Sequence, residues 1–326
     1  MSRRAVQAAA LSALALALAA ALAGGAVWGS FGSTAAANSG NNITAAADFV
    51  APTVTATTIA KTAGGSAGYI KRGGTYYVYA NVTDSGNPAS GVSSVTANVS
   101  SITSGQTAAS LTSGSFTVGG VAYNRRSASL TAGSSLAAGT YSYSLTTKDT
   151  AGNTRTGAGF TVVVDNTTMS ASDVQTANGS KTAGQAQERD TITYTFSEPP
   201  DPDSILDGWD GSATDVVVRL NNASSEDTVT IYDEDNSSQL PFGTLYLGRN
   251  DYTTSNRTFG VKGAASTMVL SGSEVTITLG GQSGNAKSGT GTGTMEWRPS
   301  SSATDRAGNA MSTSAREESG KADREF

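Results

Sequence analysis

The chain has no cysteine and no histidine among its 326 residues. Without cysteine no disulfide can staple a loop, so any exported module must hold itself by core burial alone. Without histidine, Ser-His-Asp and Cys-His nucleophile activation and every His-ligated zinc arrangement are excluded. Of the common hydrolytic chemistries, the one left open is a pair of carboxyl groups held ~5–10 Å apart in a cleft, as in glycoside hydrolysis. Proline is scarce at seven residues, which argues against a Pro-rich stalk. Basic residues are outnumbered 21 to 26, for a net charge of −5. An acidic surface repels phosphate backbones, so nucleic acid is not an expected partner. Beyond residue 50 no stretch sustains an apolar period of 3.6, so a helical fold is not expected either.

What is present points to strands. Thirty-eight glycines, abundant Ser and Thr, and short Val, Tyr, Ile and Phe runs read as many strands joined by tight turns. The beginning of the chain is different. Met1-Ser2-Arg3-Arg4 precedes an uncharged Ala/Leu run over 8–23, and small residues follow at Gly24, Gly25 and Gly29. Positive charge, apolar run and small-residue exit are the order of a secretory leader. The alternative is an uncleaved membrane anchor, for which so alanine-rich a run is marginal. Loss of Arg3 and Arg4 with the leader would make the mature chain more acidic still.

Residues Gly24-Gly25-Ala26-Val27-Trp28-Gly29-Ser30-Phe31-Gly32-Ser33, followed by Ser39-Gly40-Asn41-Asn42-Ile43-Thr44-Ala45, resemble the leaders of TasA/camelysin biofilm proteins. That resemblance implies a dedicated, SipW-type signal peptidase and a cut between Gly29 and Ser30, with Val27 and Gly29 in the small positions it reads. Gly32 and Ala46 depart from the family pattern. The likeness covers residues 1–50 and implies routing and processing, not fibre formation by the body of the chain.

The body divides into 30–50, a low-complexity mature segment; 51–166, a first β module; 167–313, a second; and 314–326, a charged tail expected to be loose. In the first module strands are expected at 53–59, 75–83, 92–99, 116–121, 127–130, 140–147 and 160–164. Tyr77, Tyr79, Val82, Val95, Val99, Tyr141, Tyr143 and Leu145 are its candidate inward residues. Seven short strands in about 110 residues is the count of an immunoglobulin-like sandwich. Val82-Thr83-Asp84 through Ser90-Gly91-Val92-Ser93-Ser94-Val95 resembles bacterial Ig-like repeats, as do Asp149-Thr150-Ala151-Gly152-Asn153 and Val164-Asp165-Asn166-Thr167. Asp190 through Ser197-Glu198-Pro199 resembles a second bacterial Ig-like family. The resemblances imply an all-β fold of two tandem Ig-like sandwiches.

Asp305-Arg306-Ala307-Gly308-Asn309 repeats the Asp149–Asn153 pattern, the strongest internal sign of two related modules. Glycine there supplies a left-handed backbone and the Asp accepts turn amides. One carboxylate is too few for a calcium shell of six to eight oxygens. The densest acidic run, Asp233-Glu234-Asp235-Asn236, makes Asp233, Asp235 and Asn236 the calcium candidates, against the simpler reading of a solvated hairpin turn. A second acidic group, Asp201, Asp203, Asp207 and Asp210, surrounds Trp209. Trp209 and Trp297 invite a sugar-stacking reading, against core caps. Glu198, Glu226, Glu274 and Glu296 are the acids available to a hydrolase, with nothing in the sequence to pair them. Lys61, Lys148, Lys181 and Lys262 are candidates by type for a Lys–Asn cross-link, against solvated lysine.

These readings lead to an expectation of a secreted or cell-surface spacer, adhesin or matrix component of a Gram-positive bacterium, without catalytic activity or cofactor. Its partner would be a cell-envelope or matrix protein or a glycan, met through loops and edge strands, with self-assembly by strand addition as a variant. The alternatives are a carbohydrate- or calcium-binding module and a carboxylate-dependent glycoside hydrolase.

Overall fold

A computed structural model describes residues 47–179 and 182–326. The expected leader, its cleavage point at Gly29/Ser30 and nearly all of the 30–50 segment lie outside the described residues.

Nearly every described element is a strand, and the strands form two large sheets that share none. The first unit carries β1 Thr53–Lys61, β2 Tyr69–Ile70, β3 Thr75–Thr83, β4 Val92–Asn98, β5 Ala109–Val118, β6 Val121–Ser127, β7 Leu130–Thr131, β8 Gly139–Asp149 and β9 Thr154–Val164. Its path is β1-β3-β6-β5-β4-β8-β9-β2, with β7 beside β3. Strand β5 pairs with β4 through Ser110 and Ala109, then with β6 from Leu111 to Val118, so one strand serves two ladders. The two ends of the path, β1 and β2, are consecutive in sequence, and Ala60 bridges Ala67 between them. The sheet therefore curls until its ends approach. An all-β fold is as expected, and the sheets are barrel-like.

The second unit carries β10 Ala171–Ala177, β11 Thr191–Phe196, a short helix α1 Pro202–Ile205, β12 Thr214–Asn221, β13 Thr228–Tyr232, β14 Thr244–Tyr246, β15 Arg257–Phe259, β16 Ser266–Ser271, β17 Glu274–Thr278, β18 Glu296–Arg298 and β19 Arg316–Glu317. Here β12 is the shared strand: Thr214–Val216 pair with β16, and Val217–Asn221 with β13. The path runs from β10 to β19. These ends meet at Asp173 of β10, whose carboxylate accepts the amide and the hydroxyl of Ser319, just beyond β19, both at 2.7 Å.

Period-2 burial explains the cores. In β3, Tyr76, Val78, Ala80 and Val82 point into the main core of the first unit with Val95, Leu145, Val162 and Val164. Tyr79 points the other way, into a smaller cluster with Val118 and Tyr123 beneath the β5–β6 hairpin. The inward set expected from sequence is therefore corrected at Tyr77, whose neighbours Tyr76 and Val78 are the fully buried ones. The strand expected at 116–121 in fact spans a hairpin turn. Gly119 and Gly120 both have positive φ, which only glycine adopts without strain. In the second unit Ile192, Tyr194 and Phe196 alternate inward against Trp297 and Phe242. The 314–326 segment, expected to be loose, is instead docked: Arg316 pairs with Trp297, and Glu325 and Phe326 are buried.

Candidate functional site

The repeated D-x-A-G-N pattern builds the same corner twice. At the end of β8, Asp149 accepts from the Asn153 amide and side-chain amide, both at 2.7 Å, while Gly152 takes a φ of 100° between them. The Asn153 amide group also donates to the Asp48 carbonyl at 2.9 Å, tying the chain as it enters the first unit. In the second unit Asn309 donates to Asp305 at 2.8 and 2.7 Å and to the Asp165 carbonyl at 3.0 Å. The motif's asparagine is thus a staple between the last turn of a unit and its incoming strand, a role hidden in sequence because the accepting carbonyl lies far upstream.

A third acid completes each corner, from the end of β3 in one case and of β11 in the other. Asp48, Asp84 and Asp149 each offer an oxygen within 4.8 Å of the others, and so do Asp165, Glu198 and Asp305. The first triad is well satisfied. Asp48 accepts the Val50 and Ser90 amides at 2.9 and 2.8 Å, and these donors hold its carboxyl below the usual range. Asp84 accepts the Gly91 amide at 2.7 Å. A Cβ at Gly86 would fall on the Asp48 carboxylate, so this loop needs glycine for close approach. The second triad is not so well satisfied. Glu198 Oε1 is shielded from solvent with no hydrogen-bond partner. Burial, then the Asp165 charge, push the Glu198 carboxyl up to about 7, with Arg306 opposing.

Between the units lies a polar junction. Lys61 at the end of β1 is paired with Asp201, whose side chain is 2% exposed. Asp201 also accepts from the Ser66 amide and hydroxyl at 3.2 and 3.1 Å. A Cβ on Gly65 would overlap that carboxylate, so the glycine lets the first unit's loop close over it. Lys71 donates to the Gly308 carbonyl inside the second staple, and the Arg306 guanidinium lies 4.1 Å from the Tyr69 ring centre. Beside this junction runs a groove of about 480 Å³, lined by Tyr79 and Gly119 on one side and by Asp203, Trp209 and Asp210 on the other.

The residues singled out from sequence fall in varied places. Asp233 accepts the Ser237 and Ser238 amides at 2.7 and 3.1 Å and caps the turn after β13. Asn236 sits in the left-handed region at φ 57° and accepts from Arg219, and Asp235 is exposed. The arrangement is that of a hairpin turn, and these three residues belong to none of the carboxylate groups found among the described residues. Trp297 is fully buried and Trp209 nearly so, their indole N–H groups donating to the Phe242 and Ser212 carbonyls at 2.5 and 2.6 Å. Both occupy core positions, with only an edge of Trp209 reaching the groove. Glu296 is paired with Arg298, and Glu274 is exposed. Lys148 and Lys262 are exposed, and Lys181 lies outside the described residues. Sequence reasoning quoted Asp84, Asp165 and Glu198 within motifs but did not group them. The available signal was positional: each unit has an acid before its first strand and another where its next long strand ends. Comparison with family models, with curated proteins and with solved structures found no match for this chain.

Proposed function

We propose that the chain is an exported, non-catalytic structural protein whose two β units are immunoglobulin-like and act as a stiff spacer or adhesive element at the cell surface or in an extracellular matrix. The observation that carries this reading is the junction. The second unit's staple receives Lys71 and its helix receives Lys61, so the two units are joined by largely buried polar contacts as well as by the connecting chain. A load-bearing pair of modules needs that arrangement, because domains linked by chain alone move freely. The Ig-like reading is supported by the parallel pairing of β2 with β9 amid otherwise antiparallel ladders, and by the motifs at residues 82–95 and 149–153. Partners, whether envelope protein, matrix protein or glycan, would be met by loops and edge strands. Fractionation of the producing cells tests the reading. The expected product is a mature chain beginning at Ser30 in the medium or envelope, with adhesion or matrix integrity lost on deletion. A full-length chain confined to the cytosol refutes it.

A second reading, a calcium-binding module, is favoured by one observation: the partnerless Glu198 oxygen within the Asp165, Glu198 and Asp305 triad. Arg306 already supplies positive charge there, which weakens the case. Calorimetric titration of D305N against the parent chain separates the readings, since a spacer without this site releases the same heat in both.

A further inference from the structure

The seam where the second sheet closes on itself carries a third acidic group, distinct from the two stapled corners. Glu318, Asp323 and Glu325 each bring a carboxylate oxygen within 4.8 Å of the others. Their positions follow from the docking of residues 316–326. Glu318 makes two hydrogen bonds with Met295, its amide donating to the Met295 carbonyl at 3.0 Å and its side-chain Oε1 accepting the Met295 amide at 2.9 Å. Asp323 accepts the Gly293 amide on its backbone carbonyl at 2.8 Å. Glu325 is inserted between β10 and the 252 loop, its amide donating to the Tyr252 hydroxyl at 2.8 Å.

Glu325 is the informative member. The residue is 1% exposed, Oε2 accepts from Thr176 at 2.6 Å, and Oε1 has no partner. A carboxylate buried this deeply normally has a cation or several donors, because an acceptor left unsatisfied away from water is costly, the more so if it is charged. Among the described residues no Lys or Arg forms an ion pair with Glu318, Asp323 or Glu325. The nearest basic residue in sequence, Arg324, instead donates to the Gly289 carbonyl. Three acids thus converge at a closure seam, with one buried oxygen unused and no protein cation paired to any of them.

We propose that this seam is a divalent-cation site of the calcium class, held by Glu325, Glu318 and Asp323. The donors are all hard oxygens, the preference of Ca²⁺. Asp323 is exposed, which leaves an open side for the waters needed to complete a shell of six to eight oxygens. All three acids lie between residues 318 and 325, so an ion there holds this segment in the shape in which Glu325 reaches Thr176 of β10. The proposal does not rest on the Asp165, Glu198 and Asp305 triad, and the variants below leave that triad intact.

The test is calorimetric titration of the purified chain with Ca²⁺, repeated with Mg²⁺, on the parent and on E325Q and D323N. D323N alters an exposed side chain and serves as the variant that keeps its fold if E325Q does not. The expected result is one equivalent of Ca²⁺ lost, or weakened roughly tenfold or more, in both variants and retained in D305N. Hydrogen exchange supplies the second readout, with Ca²⁺ slowing exchange at residues 171–177 and 316–326 in the parent but not in D323N. Unchanged Ca²⁺ stoichiometry and affinity in D323N overturns the proposal, as does a parent chain that takes up no Ca²⁺ at millimolar concentration.

Discussion

Asn153 and Asn309 show how much one side chain can hold. Each satisfies a buried Asp and a carbonyl of the incoming chain at once. Replacing Asn309 with Ala strips the side-chain donor from Asp305 and from the Asp165 carbonyl, and the expected loss is about 1–3 kcal/mol in urea unfolding. An N309A chain as stable as its parent would remove the staple from the account. Asp251 makes a different prediction, one about acid. The Arg249 guanidinium grips it through two bonds of 2.9 and 2.8 Å, and Thr290 adds two more, so its carboxyl lies well below the ordinary range. A depressed carboxyl stabilises the fold above its unfolded value of about 3.9, and that stability is lost as pH falls toward the folded value. D251N is therefore expected to be less stable than the parent by about 1 kcal/mol at pH 7, with the gap narrower at about pH 2. Paired unfolding curves at the two pH values check it, and a gap that widens in acid contradicts the assignment.

At the scale of elements, burial on alternate residues made most strands readable. The hairpin turn expected at the acidic run reappears after β13, capped by Asp233. Strand β3 was harder, since Tyr76, Val78, Tyr79, Ala80 and Val82 are all buried. A strand covered on both faces loses the alternation that sets its register, and only the overlying β5–β6 hairpin reveals why Tyr79 faces away from the main core. The 314–326 segment misled for the opposite reason: its charged residues hide an apolar anchor, Phe326, whose ring centre lies 6.2 Å from that of Tyr252. In the second core Trp297 meets Tyr194 and Phe196 at 4.9 and 5.2 Å between ring centres. Replacing it with Ala leaves a large cavity and frees the Phe242 carbonyl, at an expected cost of about 3–5 kcal/mol. Chemical denaturation of W297A measures this, and a loss under about 1 kcal/mol would mean the tryptophan is not a core support.

For the whole molecule, the junction decides whether two units behave as one body. Lys61 and Asp201 are both largely buried, so removing either alone strands a charge, whereas removing both does not. D201A is expected to destabilise more than the K61A/D201A double variant, and the double-mutant cycle reads that coupling. Small-angle scattering of the double variant should show a broader range of inter-unit separations than the parent. An additive cycle with unchanged scattering would leave the units independent.

The all-β character, the duplicated D-x-A-G-N turn and the exclusion of histidine and cysteine chemistry are legible in the order of residues alone. Each of these depends on residue type or on spacing within a few positions, which the chain states directly. Which acids share a corner, how the sheets curl, and the burial of Glu325 at the closing seam emerge from the folded arrangement. Those facts join residues such as Thr176 and Glu325, 149 positions apart. They follow from how strands pair across the molecule, and that pairing is set by packing of whole faces against one another, not by any local pattern.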